Sequence, residues 1–218
     1  MSKVLVACEK SGVVRDAFRA AGHDAWSADY DKDETDSEFH YVGNVLNIVE
    51  EGWDLMIAHP PCTYLANSGN QWLSHPDDFY LPFDERREHP MYPGRRQKMY
   101  ESVAFAIALF SADIKHICIE NPVGMLSTIW RKPDQTIQPY QFGHQVSKKT
   151  CFWLKNLPPL IPTNEVPAGD FVTFSSGARL HKWYHEGRKK TKDATSTYRS
   201  KTFTGIAEAM ADQWSYVI

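Results

Sequence analysis

Three short stretches carry residue types that could do chemistry. Cys62 follows two prolines in Pro60-Pro61-Cys62, Glu120 and Asn121 stand before Pro122, and Asp29 closes an apolar run. A thiolate working with a proton-donating carboxyl suits the activation of an electron-poor ring carbon. Carbon 5 of cytosine becomes nucleophilic only when a thiolate adds to carbon 6 while an acid donates to ring nitrogen 3. Cys62 is the candidate thiolate. Glu120 is the candidate acid, which requires a carboxyl desolvated enough to hold a proton near neutral pH. The prolines fix the loop and remove competing backbone donors around the sulfur. His59, just ahead of them, could be a base, a group that stacks on a nucleobase, or a satisfied polar residue.

These residues matter only if the fold gathers them, and the apolar patterning indicates how. Residues 3–7 (KVLVA) read as a strand. Ser11 and Gly12 then open a helix in which Val14, Ala17, Phe18 and Ala21 recur at helical spacing until Gly22, and residues 24–28 (DAWSA) read as a second strand ending on Asp29. Residues 53–58 (WDLMIA) and 116–120 (HICIE) are two further buried strands. Between them lies a helix over 95–110 with Met99, Val103, Ile107 and Phe110 on one face. Strands alternating with helices imply an α/β fold with a mostly parallel sheet. In such sheets ligands bind at the carboxyl ends of the strands, where His59, Cys62, Glu120, Asn121 and Asp29 all fall. Residues 150–154 could add a strand, 157–167 form a Pro-rich connection, 205–214 a last helix, and 215–218 a strand-like end. The polar stretch 64–94 is long for a loop without structure. Its Asn67, Ser68, Gly69 and Gln71 are candidates for substrate contact.

The chain of 218 residues is long enough for one larger domain or a domain with a small appendage. With 42% hydrophobic and 23% charged residues and a net charge of -3, it is neither disordered, collagenous nor coiled coil. Its apolar runs fall short of the ~20 residues that cross a bilayer, and no cleavable leader is evident, so a soluble, cytoplasmic protein without membrane partners is expected. Cys8, Cys62, Cys118 and Cys151 are too unevenly spaced for a disulfide scaffold or a metal knuckle. No metal is expected, and Cys8, Cys118 and Cys151 read as packing residues. Between Arg179 and Lys201, eight Lys and Arg residues face only Glu186 and Asp193, with Trp183 and Tyr184 among them. That segment is either a footprint for a polyanion, with rings to stack on bases, or a solvated charged loop.

Pro60-Pro61-Cys62, Ile119-Glu120-Asn121-Pro122, Asp29 and Gly43-Asn44-Val45 together resemble the DNA cytosine-5 methyltransferase family, most of all its short bacteriophage-type members. The resemblance runs from the first strand to about Phe152 and returns in the last helix. It implies a Rossmann-like class I methyltransferase fold with helices on both faces of the sheet, S-adenosylmethionine as cofactor and DNA as partner. It also implies Cys62, Glu120 and Asn121 as catalytic residues. Gly12, Asp29, Asn44 and Pro60 would bind cofactor, Asp29 through the ribose hydroxyls and Asn44 facing adenine. The chain departs from the family in three places. Its first turn, Cys8-Glu9-Lys10-Ser11-Gly12, keeps one glycine. Lys148, Lys149 and Thr150 stand in the arginine motif that helps hold the target base, with His59 beside the base. Residues 157–201 replace a full target-recognition domain, the catalytic domain being 1–156 plus 202–218. Arg188, Lys189 and Lys190 in that insert would contact DNA phosphates rather than read a long site. Two neighbouring chemistries lack their motifs: the aromatic ring of amino-methyltransferases and the His-x-Glu with Pro-Cys-x-x-Cys of zinc deaminases. A different cytosine carbon 5 modification, such as hydroxymethylation or hydroxylation, and a non-catalytic DNA-binding decoy stay open.

Overall fold

The computed structural model describes residues 1–188, 191, 198 and 202–218. Seven strands form one sheet in the order β3-β2-β1-β4-β5-β7-β6. They are β1 (Lys3–Ala7), β2 (Asp24–Asp29), β3 (His40–Val42), β4 (Leu55–Ala58), β5 (His116–Pro122), β6 (Gln135–Ile137) and β7 (Thr150–Lys155). Strands β1 to β5 pair in parallel, while β7 lies antiparallel between β5 and β6. The chain has a Rossmann-like α/β fold, a mostly parallel sheet with helices on both faces, with the strand order reversing direction at β1 and β4.

Helix α1 (Val13–Ala20) and the last helix, here α4 (Thr204–Trp214), cover one face of the sheet, and α2 (Arg95–Phe110) covers the other. Alternation along the strands sorts the core. Val4, Val6, Leu55, Ile57 and Phe152 pack under Phe18, Met210 and Trp214, whereas Leu5, Met56, Ile117 and Ile119 pack under Met99, Val103 and Leu109. Each such fully buried large side chain stabilises the fold by roughly 1.5–3 kcal/mol. A separate two-stranded ribbon, β8 (Phe171–Thr173) with β9 (Arg179–His181), leads into α3 (Lys182–Arg188).

Two expectations, on the chain end and on the buried face of α2, are corrected. Residues 215–217 form a turn rather than a strand, because His23 Nε2 meets Ser215 Oγ at 2.7 Å and the chain end lies beside the helices, away from a sheet edge. Residues 64–94, long for a structureless loop, hold three 3₁₀ turns, a Trp72–His89–Tyr92 ring cluster and an Arg87–Asp78 ion pair at 2.7 Å. On α2 the fully buried stripe is Met99, Val103, Ala106 and Leu109, with Ile107 and Phe110 only half-buried beside it.

Candidate active site

The β4–β5 register sets Ala58 opposite Ile119, so the next residues on each strand, His59 and Glu120, emerge side by side. His59 Nδ1 lies 3.0 Å from Glu120 Oε2. One residue further, Asn121 turns inward and its Nδ2 donates to the Pro60 carbonyl at 2.7 Å. Asn121 is 1% exposed, so its amide acts on the Pro60-Pro61-Cys62 loop and positions it rather than facing a substrate. Buried Pro60 is the receiving end of that clamp. Cys62 starts a turn in which its carbonyl accepts from Leu65 and Ala66, and the turn is docked on the end of β5. Asn67 N–H donates to Val123 at 3.1 Å, and Met125 N–H donates to Leu65 at 2.7 Å. Arg95, at the start of α2, holds the outer side through the Thr63 carbonyl at 3.0 Å. Asn67, Ser68 and Gln71 are set on the 3₁₀ turn that follows, and Gly69 packs by Arg95.

The electrostatics reverse one expectation. Burial by itself pushes the Glu120 carboxyl up, but the hydrogen bond and charge of His59, helped by Lys148, hold it below its ordinary value. Burial works against charge on His59 too. The Glu120 bond and charge, with Glu9 adding to them and Lys148 opposing, leave the imidazole above its ordinary value. The bond therefore favours the imidazolium form of His59 and the carboxylate form of Glu120. Cys62 is an exposed residue, yet desolvation of its sulfur and the Glu120 charge raise the thiol, while Lys148 lowers it. Lys148 Nζ also lies 5.8 Å from the Phe203 ring, and a recess between β5, β7 and α4 is lined by Glu120, Lys148, Thr150, Phe152, Phe203 and Met210. Lys148 and Thr150 thus reach Glu120, Thr150 Oγ1 being turned to the Lys148 carbonyl at 3.2 Å. Lys149 is exposed and makes no part of that recess.

The candidate cofactor residues cluster at the ends of β1, β2 and β3. Asp29 closes β2 half-buried and accepts from the Asp31 backbone at 3.0 Å. Asn44 caps the short turn after β3, its Oδ1 accepting from Leu46 N–H at 3.1 Å. Gly12 has a φ of 70°, and a Cβ there would meet the Arg15 guanidinium 2.3 Å away, so its glycine is demanded by the fold itself. The turn after β1 has a left-handed residue at its start: Cys8 has a φ of 59°. Its thiol, pushed up to about 12 by burial and by Asp29, stays neutral.

Sequence reasoning missed two residues here. Glu9, only 4% exposed, caps α1 through Val14 N–H at 2.8 Å and Arg15 N–H at 3.2 Å. Arg15, 1% exposed, bonds Ser27 at 2.9 Å, Thr35 at 3.0 Å and Asp33 at 2.6 Å, drawing the segment after β2 onto α1; against burial, the bonds of Thr35, Arg15 and Ser37 hold the Asp33 carboxyl down at about 2. A carboxylate just ahead of a helix was the available signal for Glu9. For Arg15, the chain offers only a cation beside the apolar face, which usually reads as surface.

In the basic segment, Trp183 is not free to stack on a base. Its ring lies 4.9 Å from those of Tyr184 and Tyr198 and 5.9 Å from that of Phe203, tying α3 to the start of α4. Arg188 ends α3. Lys189 and Lys190 lie outside the described residues. Among the described residues no group of His, Cys, Asp and Glu could hold a metal, and no helix is long and apolar enough to cross a membrane.

No protein-family model matches the chain, and no curated protein matches it in sequence. Among solved structures it is similar to a prophage-encoded E. coli protein that carries the provisional description DNA modification methyltransferase, at 14% identity and a TM-score of 0.46. The match covers 77% of this chain and 52% of the other, so the chain spans about half the length of that protein.

Proposed function

We propose that the chain transfers a methyl group from S-adenosylmethionine to carbon 5 of cytosine in DNA. The observation that carries this reading is the Asn121–Pro60 clamp at 2.7 Å, which fixes the Cys62 loop beside the strand end that bears Glu120. Cys62 feels the charge of Glu120, and the two share Lys148 as a neighbouring cation. That is the pairing needed for thiolate addition at carbon 6 with proton donation at ring nitrogen 3.

The crevice residues fit the cofactor. In folds of this kind the first helix N-terminus commonly receives a phosphate, but Glu9 already fills that position with the chain's own carboxylate. A dinucleotide would bring like charge against it, whereas S-adenosylmethionine carries no phosphate and has a cationic sulfonium. Asp29 would accept from its ribose, and Asn44, with its Oδ1 engaged, has its amide N–H groups to offer. When bound, the cofactor supplies an electrophilic methyl group. Cys62 supplies the thiolate, Glu120 the proton, Lys148 favours the charged forms of both, and Thr150 lines the recess beneath the base. Arg188, Lys189 and Lys190 contact DNA phosphates, and the protein works where cellular DNA is accessible, in the cytoplasm.

Incubation with DNA bearing 5-fluorocytosine and S-adenosylmethionine tests the reading. The wild type should form a covalent complex, Cys62→Ser should not, and nucleoside mass spectrometry on ordinary DNA should show a methyl gain on cytosine. Equal trapping by both proteins, or a mass gain other than methyl, would overturn it.

A further inference from the structure

The His59–Glu120 pair is not explained by the two-residue chemistry of Cys62 and Glu120. Its bond of 3.0 Å joins the carboxyl ends of two adjacent central strands, and both side chains are largely removed from solvent, at 12% and 18% exposed. The other ring nitrogen, His59 Nε2, is buried and has no hydrogen-bond partner among the described residues. A histidine kept merely to satisfy packing would have both nitrogens served or one in water. The charged groups that reach His59 are Glu120 on β5, Glu9 in the turn after β1, and Lys148 ahead of β7. Glu120 and Glu9 favour the imidazolium and Lys148 opposes it, so the proton shared by the pair is drawn towards His59.

We propose that His59 and Glu120 act as one acid, the imidazolium storing the proton that Glu120 hands to ring nitrogen 3 of the target cytosine. This rests on the cytosine reading above and adds a positioning residue that works through Glu120. As the Cys62 sulfur bonds carbon 6, the ring π electrons shift and an electron pair settles on nitrogen 3. A proton leaves His59 Nδ1 for the Glu120 carboxylate, and the carboxyl passes a proton to nitrogen 3. Imidazolium, carboxylate, thiolate and neutral cytosine become imidazole, carboxylate and a neutral thioether adduct, so charge is balanced at -1 on each side. When the adduct collapses, the proton returns along the same bond. An acid built this way does not require Glu120 to hold a proton at rest, which the ion pair prevents.

The test combines NMR and single-turnover kinetics on the full chain. In ¹⁵N-histidine-labelled protein, His59 should titrate above its ordinary value, and Glu120→Gln should bring it below, because burial, the largest influence, is then opposed only by the smaller effect of Glu9. His59→Asn keeps a donor near the Nδ1 position but stores no proton. It should lose on the order of a hundredfold in the transfer step while KM for DNA changes little, and its alkaline limb should no longer coincide with a histidine titration. His59→Asn within a few-fold of wild type at every pH, or a His59 titration indifferent to Glu120→Gln, would overturn the relay. If His59→Asn fails to fold, the titration in Glu120→Gln, where His59 is retained, still decides. Absence of transfer by the wild type itself, with the coupled titration intact, would overturn the cytosine reading instead.

Discussion

Lys148 favours the thiolate of Cys62 and the carboxylate of Glu120, whereas Glu120 opposes the thiolate. Removing the cation while keeping the stem, as in Lys148→Met, should slow alkylation of Cys62 by iodoacetamide near neutral pH by roughly three- to tenfold, the scale of about 1 kcal/mol for a pair at a surface. Cys62 is the exposed thiol, Cys118 and Cys151 being buried and Cys8 half-buried, so mass spectrometry of the Cys62 peptide reads the effect directly. An unchanged rate would remove Lys148 from thiolate activation. The His59–Glu120 pair also makes stability depend on pH. His59 is raised above 6.5, so its contribution is complete below 6.5 and lost as pH rises through the raised value. Glu120 is lowered below 4.5, so its contribution is complete above 4.5 and lost as pH falls through the lowered value. Urea unfolding should therefore show the largest gap between wild type and His59→Asn from pH 4.5 to 6.5, narrowing on either side. A gap constant from pH 4 to about 9 would mean that the bond contributes without titrating.

At the scale of elements, the Cys62 loop is held by backbone contacts with the end of β5. Ala66 bridges Gly124, and a Cβ on Gly124 would stand 1.9 Å from the Leu65 carbonyl oxygen. That neighbour is backbone and cannot swing aside. Gly124→Ala should accordingly push the loop off β5, costing about 1 to 3 kcal/mol of stability and lowering the trapping rate of Cys62 more than DNA affinity. Equal trapping by Gly124→Ala and wild type would show that the dock does not aim the sulfur. The same logic explains the ordered stretch 64–94. Arg95 from α2, the Asp78–Arg87 pair and the Trp72–His89–Tyr92 rings give it a small core of its own.

Over the whole molecule, charge is distributed unevenly: a net -3 contains a segment in which eight basic residues face two acidic ones. Its rings are engaged, since Trp183 packs on Tyr184, Tyr198 and Phe203, so the segment is expected to act on DNA chiefly through phosphates. Affinity for duplex DNA should then fall steeply with salt and vary little with sequence. Replacing Arg188, Lys189 and Lys190 by Gln should flatten the salt slope by about one unit for each phosphate that is no longer neutralised. A triple variant that changes only the preferred sequence would make the segment a base reader.

The residues by themselves determined which strands exist at the centre of the sheet and which chemistry-bearing side chains end them. Apolar runs at β1, β2, β4 and β5 and the helical spacings of α1, α2 and α4 are local patterns, legible because burial imposes its period on contiguous residues. Cys62, Glu120 and Asp29 stood out for the same reason, each lying just past or at such a run. The short strands β3 and β6 and the reversal of β7 were not legible, because three-residue strands carry no period and direction is set by the connection. What only the tertiary structure decided was the state of the site. His59 and Glu120 are 61 residues apart, and nothing near either one encodes the partner. The parallel register that sets Ala58 against Ile119 brings them to 3.0 Å and turns a carboxyl expected to hold a proton into one held ionised by its neighbour. Charge state depends on distance and solvent exclusion, quantities that exist only once strands distant in the chain lie side by side.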